Sequence, residues 1–255
     1  MISRAVALAG FALVAACGGS ANGCALMSCA DTGTQPLTVF AAASLQPPFD
    51  KIAIAVEARY HIKPNFNYAG SQTLTAQLTQ GAQADVFASA DTAHMKTLQD
   101  AGLVDGTPKV FAHNRLEIAV EHGNPKGIHS LADLSRSGVV VVLADPSVPA
   151  GKYAQQALAK AGVAVHPASL EAQVTAVLSK VELGEADAGI VYASDVSTAA
   201  KVDGVAIPDS QNVIADYPIA ALKNAQAKGS ASSFIDFVVS DQGQAILKQA
   251  GFEPA

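Results

Sequence analysis

Apolar residues follow two alternating periodicities from residue 37 onward. Short apolar runs, typical of buried strands, are followed by stretches in which apolar residues recur every three or four positions, as on one face of a helix. The clearest pair is the strand "LTVFA" and the helix after it, with Phe49, Ile52, Val56 and Tyr60 on one face. This alternation predicts an α/β fold with mostly parallel sheets and helices on both faces.

Two apolar strands interrupt the alternation and indicate a second lobe. "NRLEIAVE" (114–121) and "DYPIAALK" (216–223) both follow polar loops. We interpret them as paired crossover strands between two α/β lobes, with the last helices returning to the first lobe. The predicted lobe 1 comprises residues 37–115 and 223–255, and lobe 2 comprises residues 116–222. The alternative is one continuous doubly wound domain.

The first 16 residues predict an export signal. They contain one basic residue, Arg4, then an apolar run too short to span a membrane, and then small residues before Cys17. The stretch "LVAAC" resembles the lipobox of bacterial lipoproteins, which implies that Cys17 is the first mature residue and carries a lipid. Residues 17–36 are predicted to be a flexible tether. The alternative is an ordinary signal peptide, with Cys17 incidental and the mature protein free in the periplasm.

Cysteine and charge content exclude several functional classes. Cys24 and Cys29 lie in the predicted tether, where the sequence leaves open whether they pair. No cysteine follows residue 29, which excludes a thiol nucleophile or a cysteine metal site in the folded part. Half of the 255 residues are apolar, 15% are charged and the net charge is −6. This composition excludes extensive disorder and argues against a nucleic-acid surface or a polybasic membrane surface.

Three strand-to-helix junctions combine small residues with hydrogen-bond donors. In "VFAAASL", three alanines precede Ser44 at a predicted helix start, so backbone amides and one hydroxyl can approach a ligand closely. "YAGSQTL" repeats the arrangement at Ser71, and "DPSVPAGKYA" repeats it at Ala150. Helix N-termini with free N–H groups favour anions. These junctions therefore predict an anion-binding site.

The three motifs, together with "GAQADVFASAD" and "DAGIVYASD", resemble the molybdate-binding proteins of bacterial ABC importers over about residues 37–252. The resemblance implies a type II periplasmic binding protein fold, in which two lobes enclose a cleft. It also implies capture of molybdate, and of tungstate, for delivery to the permease subunits of an ABC transporter. A monomer without a cofactor is expected.

The resemblance also implies which residues hold the oxyanion: Ser44 and Ser71 from the first lobe, and Ala150, Val174 and Tyr192 from the second. The serines would donate hydroxyl and backbone N–H groups, Ala150 and Val174 would donate backbone N–H groups, and Tyr192 would donate its phenol. The amide of Val174 is free if the helix that contains it begins near Glu171.

The chain departs from many relatives at two places and places three carboxylates near the motifs. Gly70 stands where a serine is common, and "QPP" follows the first motif. We interpret Asp85, Asp91 and Asp145 as helix caps and strand-end partners rather than ligands, because a carboxylate would repel a dianion.

The donor-only residue set suits a fully deprotonated anion. Molybdate, tungstate and sulfate carry no proton near neutral pH, whereas hydrogen phosphate has a proton that needs an acceptor. A type II binding protein for sulfate is therefore the main alternative. A serine-dependent enzyme is a remote alternative, because neither serine lies in a GxSxG elbow and the six histidines are scattered. No HExxH metal motif is present.

Overall fold

The computed structural model describes residues 36–255, so the predicted export signal and all three cysteines lie outside the described residues. The strands are β1 (Leu37–Ala42), β2 (Pro64–Ala69), β3 (Val86–Ala88), β4 (Val104–Glu121), β5 (Val141–Ala144), β6 (Ser169–Glu171), β7 (Ala188–Tyr192), β8 (Val202–Ala206), β9 (Ile214–Leu222) and β10 (Glu253–Pro254). The α-helices are α1 (Gln46–Tyr60), α2 (Ser71–Thr79), α3 (Thr92–Asp100), α4 (Pro149–Ala161), α5 (Val174–Glu182), α6 (Ala193–Thr198), α7 (Lys228–Val238) and α8 (Asp241–Gln249). Single 3₁₀ segments cover Ala43–Leu45 and Leu131–Ser135. Within residues 36–255, no helix combines the length and the apolar character that crossing a membrane requires.

The first strand and helix show how the core is built. Successive side chains of a strand face opposite sides of the sheet, and Phe40 belongs to a different core cluster from its neighbours Val39 and Ala41. The sheet is therefore covered on both faces, as predicted. Helix α1 buries Phe49 against Phe234 of α7, with ring centroids 5.6 Å apart. The C-terminal helix α7 therefore packs against the helix that follows the first strand.

The strands run in the order β2-β1-β3-β9-β4-β7-β5-β6, with β8 and β10 beside β4. Pairs among β1, β2 and β3 are parallel, as are pairs among β5, β6 and β7. Every pair that involves β4 or β9 is antiparallel. The sheet is therefore mixed rather than mostly parallel, because the crossover strands run against both parallel sets.

Strand β4 links the two parallel sets. It pairs with β9 from Val104 to Arg115, and with β7 and β8 from Leu116 onward. The change of partner falls between Arg115 and Leu116. The predicted start at residue 114 was wrong by ten residues, because Gly106 and Pro108 suggest a loop, whereas the structure accommodates this stretch by register shifts in the pairing with β9.

Helix α5 also begins later than predicted. The sequence predicts a start near Glu171, but residues Ser169–Glu171 form β6, which pairs with β5. The helix therefore begins at Val174, with Gln173 as its N-cap residue. The condition for a free Val174 amide still holds, since this amide is now the first of the helix.

The three aspartates near the motifs act as caps and strand-end partners, as predicted. Asp91 caps α3 and accepts a 2.9 Å hydrogen bond from the backbone N–H of His94. Asp145 accepts a 2.9 Å bond from the backbone N–H of Ser147. Asp85 accepts backbone N–H groups from β1 and from the segment that leads into α7.

Candidate functional site

The five residues singled out in the sequence line one small cavity. Ser44, Ser71, Ala150, Val174 and Tyr192 line a cavity of about 10 Å³, far below the roughly 300–1,000 Å³ typical of pockets for organic ligands. The other lining residues are Ala42, Ala43, Gly70, Ala90, Val148 and Pro149. No lining residue carries a formal charge. The cavity is therefore too small for an organic ligand of ordinary size, and its lining offers dipoles but no formal charge to a small ion.

The topology explains why these residues meet. Ser44, Ser71, Ala150, Val174 and Tyr192 each follow, or end, a different strand of the two parallel sets. In open α/β sheets, ligands bind outside the carboxyl ends of such strands. The two parallel sets supply the two walls of the cavity.

Four backbone amides in the cavity lie in the first turns of helical segments. Ser44 is in the 3₁₀ segment before α1, Ser71 and Val174 are the first residues of α2 and α5, and Ala150 is the second residue of α4. Amides at these positions have no intrahelical acceptor. Together with the positive ends of the helix dipoles, they form a set of donors suited to an anion.

Both serine hydroxyls are buried and already hydrogen-bonded. The Oγ of Ser71 accepts a 3.1 Å hydrogen bond from the backbone N–H of Ala90. The Oγ of Ser44 lies 3.0 Å from the Oη of Tyr217 on β9. The bond from Ala90 leaves the hydrogen of Ser71 available to a ligand.

Tyr192 contributes a buried donor that lacks a partner. Its Oη has no hydrogen-bond partner among the described residues, although the side chain is buried. Burial, followed by the nearby Tyr217, raises the pKa of Tyr192 well above the usual value, so the phenol stays protonated. An unsatisfied buried hydroxyl costs about 1–3 kcal/mol. An anion in the cavity could accept this hydrogen and remove the cost.

A buried carboxylate holds the backbone beside Tyr192. Asp195 accepts a 3.0 Å hydrogen bond from the Tyr192 backbone N–H at the start of α6. Burial raises the pKa of Asp195 to about 7, and the bond from Tyr192 opposes this rise. Sequence reasoning missed Asp195, although the "YASD" motif contains the N3 carboxylate of a helix cap.

One acidic side chain beside the cavity lining serves as a helix cap. Asp91 follows the lining residue Ala90 and accepts hydrogen bonds from the backbone and ring of His94. Burial raises the pKa of Asp91, but these bonds outweigh it and the pKa lies below the usual value. Asp91 therefore stays ionised with its charge partly offset by His94. Within residues 36–255, no cluster of three or more His, Cys, Asp or Glu residues could hold a metal ion.

The structure explains the departure at Gly70. The Gln72 side chain lies against Gly70, and its Nε2 donates a 2.8 Å hydrogen bond to the carbonyl of Ala172 beyond β6. A Cβ at position 70 would collide with the Gln72 amide and would lie 2.7 Å from that carbonyl oxygen. Glycine is therefore required for this contact between the two walls of the cavity, which sequence reasoning did not identify.

The fold and the cavity are those of a solute-binding protein. Residues 37–253 match the family model described as bacterial extracellular solute-binding protein. The chain therefore belongs to this family. Because the family consists of solute-binding proteins, the alternative of a serine-dependent enzyme does not apply.

Individual relatives show which kinds of solute-binding protein this chain is similar to. The chain is 46% identical over 222 residues to the molybdate-binding protein ModA of Mycobacterium tuberculosis (strain H37Rv), covering 86% of this chain and 85% of that protein. It is 32% identical over 256 residues to YvgL of Bacillus subtilis (strain 168), provisionally named an ABC transporter substrate-binding lipoprotein, covering 96% and 95%. The periplasmic molybdate-binding protein of Azotobacter vinelandii has the same fold, with a TM-score of 0.76 at 21% identity, covering 86% of this chain and 99% of that one.

Proposed function

We propose that this protein captures molybdate, and also tungstate, in the cavity between its lobes and delivers it to the permease subunits of an ABC importer. The observation that carries the proposal is the convergence of Ser44, Ser71, Ala150, Val174 and Tyr192 on one small, uncharged cavity. The relationship to ModA supports molybdate as the ligand. The buried, unpartnered hydroxyl of Tyr192 supports a ligand that accepts hydrogen bonds.

Neutral donors suffice to hold a dianion in this cavity. Each hydrogen bond to a charged acceptor contributes about 1.5–3 kcal/mol, and the five residues can supply four amides and three hydroxyls. Both serine oxygens already have hydrogen-bond partners. No carboxylate lines the cavity, so the lining favours an anion without a proton over hydrogen phosphate.

We infer that the two lobes move relative to each other, opening to admit the anion and closing over it. The partner change of β4 between Arg115 and Leu116 supports a first boundary between residues 115 and 116. On the second crossing, β9 pairs with β4 from Ile214 onward and with β3 from Ile219 onward, which favours a boundary earlier than residue 222. In the proposed cycle, the contact from Gln72 to Ala172 forms when the lobes close over the ligand.

The anion preference is the first expected result. Calorimetric titration of the purified protein should show that molybdate and tungstate bind with similar affinity. Phosphate should bind about a hundredfold or more weakly, which corresponds to about 2.7 kcal/mol, because no carboxylate lines the cavity to accept its proton. Sulfate should also bind more weakly, because its shorter bonds leave some donors out of reach.

Two outcomes would contradict the proposed ligand. Phosphate binding as tight as molybdate binding would show that the cavity accepts a protonated anion. Sulfate binding tighter than molybdate binding would assign the protein to the sulfate alternative. Comparison of sulfate with phosphate serves as a control, since the two anions are similar in size and only hydrogen phosphate carries a proton at neutral pH.

We further propose that a lipid on Cys17 anchors the protein at the outer face of the membrane. The support is the "LVAAC" sequence and the likeness to YvgL over nearly the whole chain. In detergent phase separation of the full-length protein expressed in a bacterium, the wild type and Cys24→Ala should enter the detergent phase, whereas Cys17→Ala should not. If Cys17→Ala partitions like the wild type, the anchor is not at this residue.

A further inference from the structure

Tyr217 lies behind the cavity and is hydrogen-bonded to one of its serines. The side chain is fully buried on β9, and its Oη is 3.0 Å from the Oγ of Ser44. Tyr217 does not line the cavity itself. Any influence it has on the ligand must therefore pass through a residue that does.

The direction of this hydrogen bond decides what Ser44 presents to the cavity. A serine hydroxyl has one hydrogen, so if Ser44 donates to Tyr217, only lone pairs remain for the ligand. If Tyr217 donates, the hydrogen of Ser44 is free for an oxyanion. A phenol is the more acidic and hence the better donor, and burial keeps Tyr217 protonated by raising its pKa. The same polarity holds at Ser71, whose Oγ accepts a hydrogen bond from the Ala90 amide.

The ring of Tyr217 is fixed in position by edge-on contacts with other aromatic rings. Its centroid is 5.2 Å from that of Phe252 and 6.4 Å from that of Phe111. On a third side it meets the ring of Tyr192 at 5.8 Å. The phenol that holds Ser44 in the first lobe therefore also packs against the donor from the second lobe.

We propose that Tyr217 is a positioning residue for oxyanion binding. By donating its phenolic hydrogen to the Oγ of Ser44, it commits the hydrogen of that serine to the anion. The proposal rests on the proposed function, because it assumes that Ser44 donates to an oxyanion. In this proposal Tyr217 does not contact the anion itself, but it determines that Ser44 donates its hydrogen to the anion.

A double-mutant cycle tests the proposal by titration with molybdate. Tyr217→Phe keeps the ring and removes the hydroxyl, and should weaken binding by about three- to tenfold, the value of one net hydrogen bond. In a Ser44→Ala background, the same substitution should cost clearly less, because the serine it acts on is gone and only the contact with Tyr192 remains. In the matched Ser71→Ala background, it should again cost about three- to tenfold.

The cycle separates positioning from general packing. If Tyr217→Phe damages packing alone, it lowers affinity equally in the Ser44→Ala and Ser71→Ala backgrounds, and the proposal is wrong. The proposal is also wrong if Tyr217→Phe binds molybdate like the wild type. If the wild type itself binds neither molybdate nor tungstate, the proposed function fails and this role fails with it. Thermal melting of each ligand-free variant provides the check on folding.

Discussion

Replacing Tyr192 by phenylalanine should stabilise the ligand-free protein while weakening oxyanion binding. The Tyr192 Oη is buried without a partner, and removal of such a group relieves a cost of about 1–3 kcal/mol. In the proposed complex with molybdate, the same hydroxyl would donate a charge-assisted bond, so Tyr192→Phe should weaken binding by about ten- to a hundredfold. Thermal melting without ligand and calorimetric titration with molybdate measure the two effects.

A gain in stability combined with a loss of affinity is the result expected only if the Tyr192 hydroxyl contacts the ligand. An ordinary core tyrosine would lose stability on this change and leave binding unaltered. Tyr68→Phe is a suitable control, because its hydroxyl donates a 2.9 Å bond to Asp50 at an exposed position outside the cavity. That variant should bind molybdate like the wild type. A Tyr192→Phe protein that melts earlier and binds normally would remove Tyr192 from the site.

The meeting of Ser44, Ser71 and Ala150 could be predicted because it depends on strand order and not on side-chain detail, whereas Val174 and Tyr192 were assigned through the family resemblance. Once the alternation of strands and helices indicates parallel strands, residues at their carboxyl ends must meet at one edge. The small residues of "VFAAASL" and the glycine of "YAGSQTL" could also be recognised from the sequence. A backbone that approaches a ligand closely requires small residues at that position. The identity of the ligand depended on the family resemblance, because composition cannot measure the radius of a cavity.

Features that depend on pairs of distant residues could not be predicted. Strand β4 begins ten residues before its apolar pattern does, because pairing with β9 stabilises a stretch that contains Gly106 and Pro108. Ser44 and Tyr217 are 173 positions apart in the chain. The bond from Gln72 to Ala172 spans 100 positions. Local periodicity contains no information on such contacts, so the residues that support the site were missed although those that line it were found.

The positive potential of the cavity comes from oriented backbone dipoles rather than from charged side chains. Within residues 36–255, no Lys or Arg lines the cavity, and the free amides of α2, α4 and α5 provide positive potential only if the helix starts keep their places. A displaced charge still attracts an anion, but a displaced amide loses its hydrogen bond. Packing around the helix starts should therefore influence affinity as strongly as the ligand residues do.

Gly151→Ala should lower both the free energy of unfolding and the affinity for molybdate, because it displaces the start of α4. Gly151 follows Ala150 in the first turn of α4, and a Cβ there would collide with the carbonyl groups of Ala144 and Asp145 at the end of β5. Since these are backbone atoms, the helix start itself must shift, at a cost of about 1–3 kcal/mol in unfolding free energy. The amide of Ala150 shifts with it, so molybdate binding should weaken by more than about tenfold, the loss of one charge-assisted bond.

Gly229→Ala provides the matched control for this substitution. Gly229 is also in the first turn of an α-helix, α7, but a Cβ there would meet no atom within 4 Å. The control should therefore leave molybdate affinity unchanged and raise stability by about 0.4–1 kcal/mol, because alanine restricts the unfolded chain. Titration and thermal melting of the two variants distinguish displacement of α4 from a general effect of replacing glycine. If Gly151→Ala binds molybdate as tightly as Gly229→Ala, the position of the α4 start does not control the site, and the Ala150 amide is not one of its ligands.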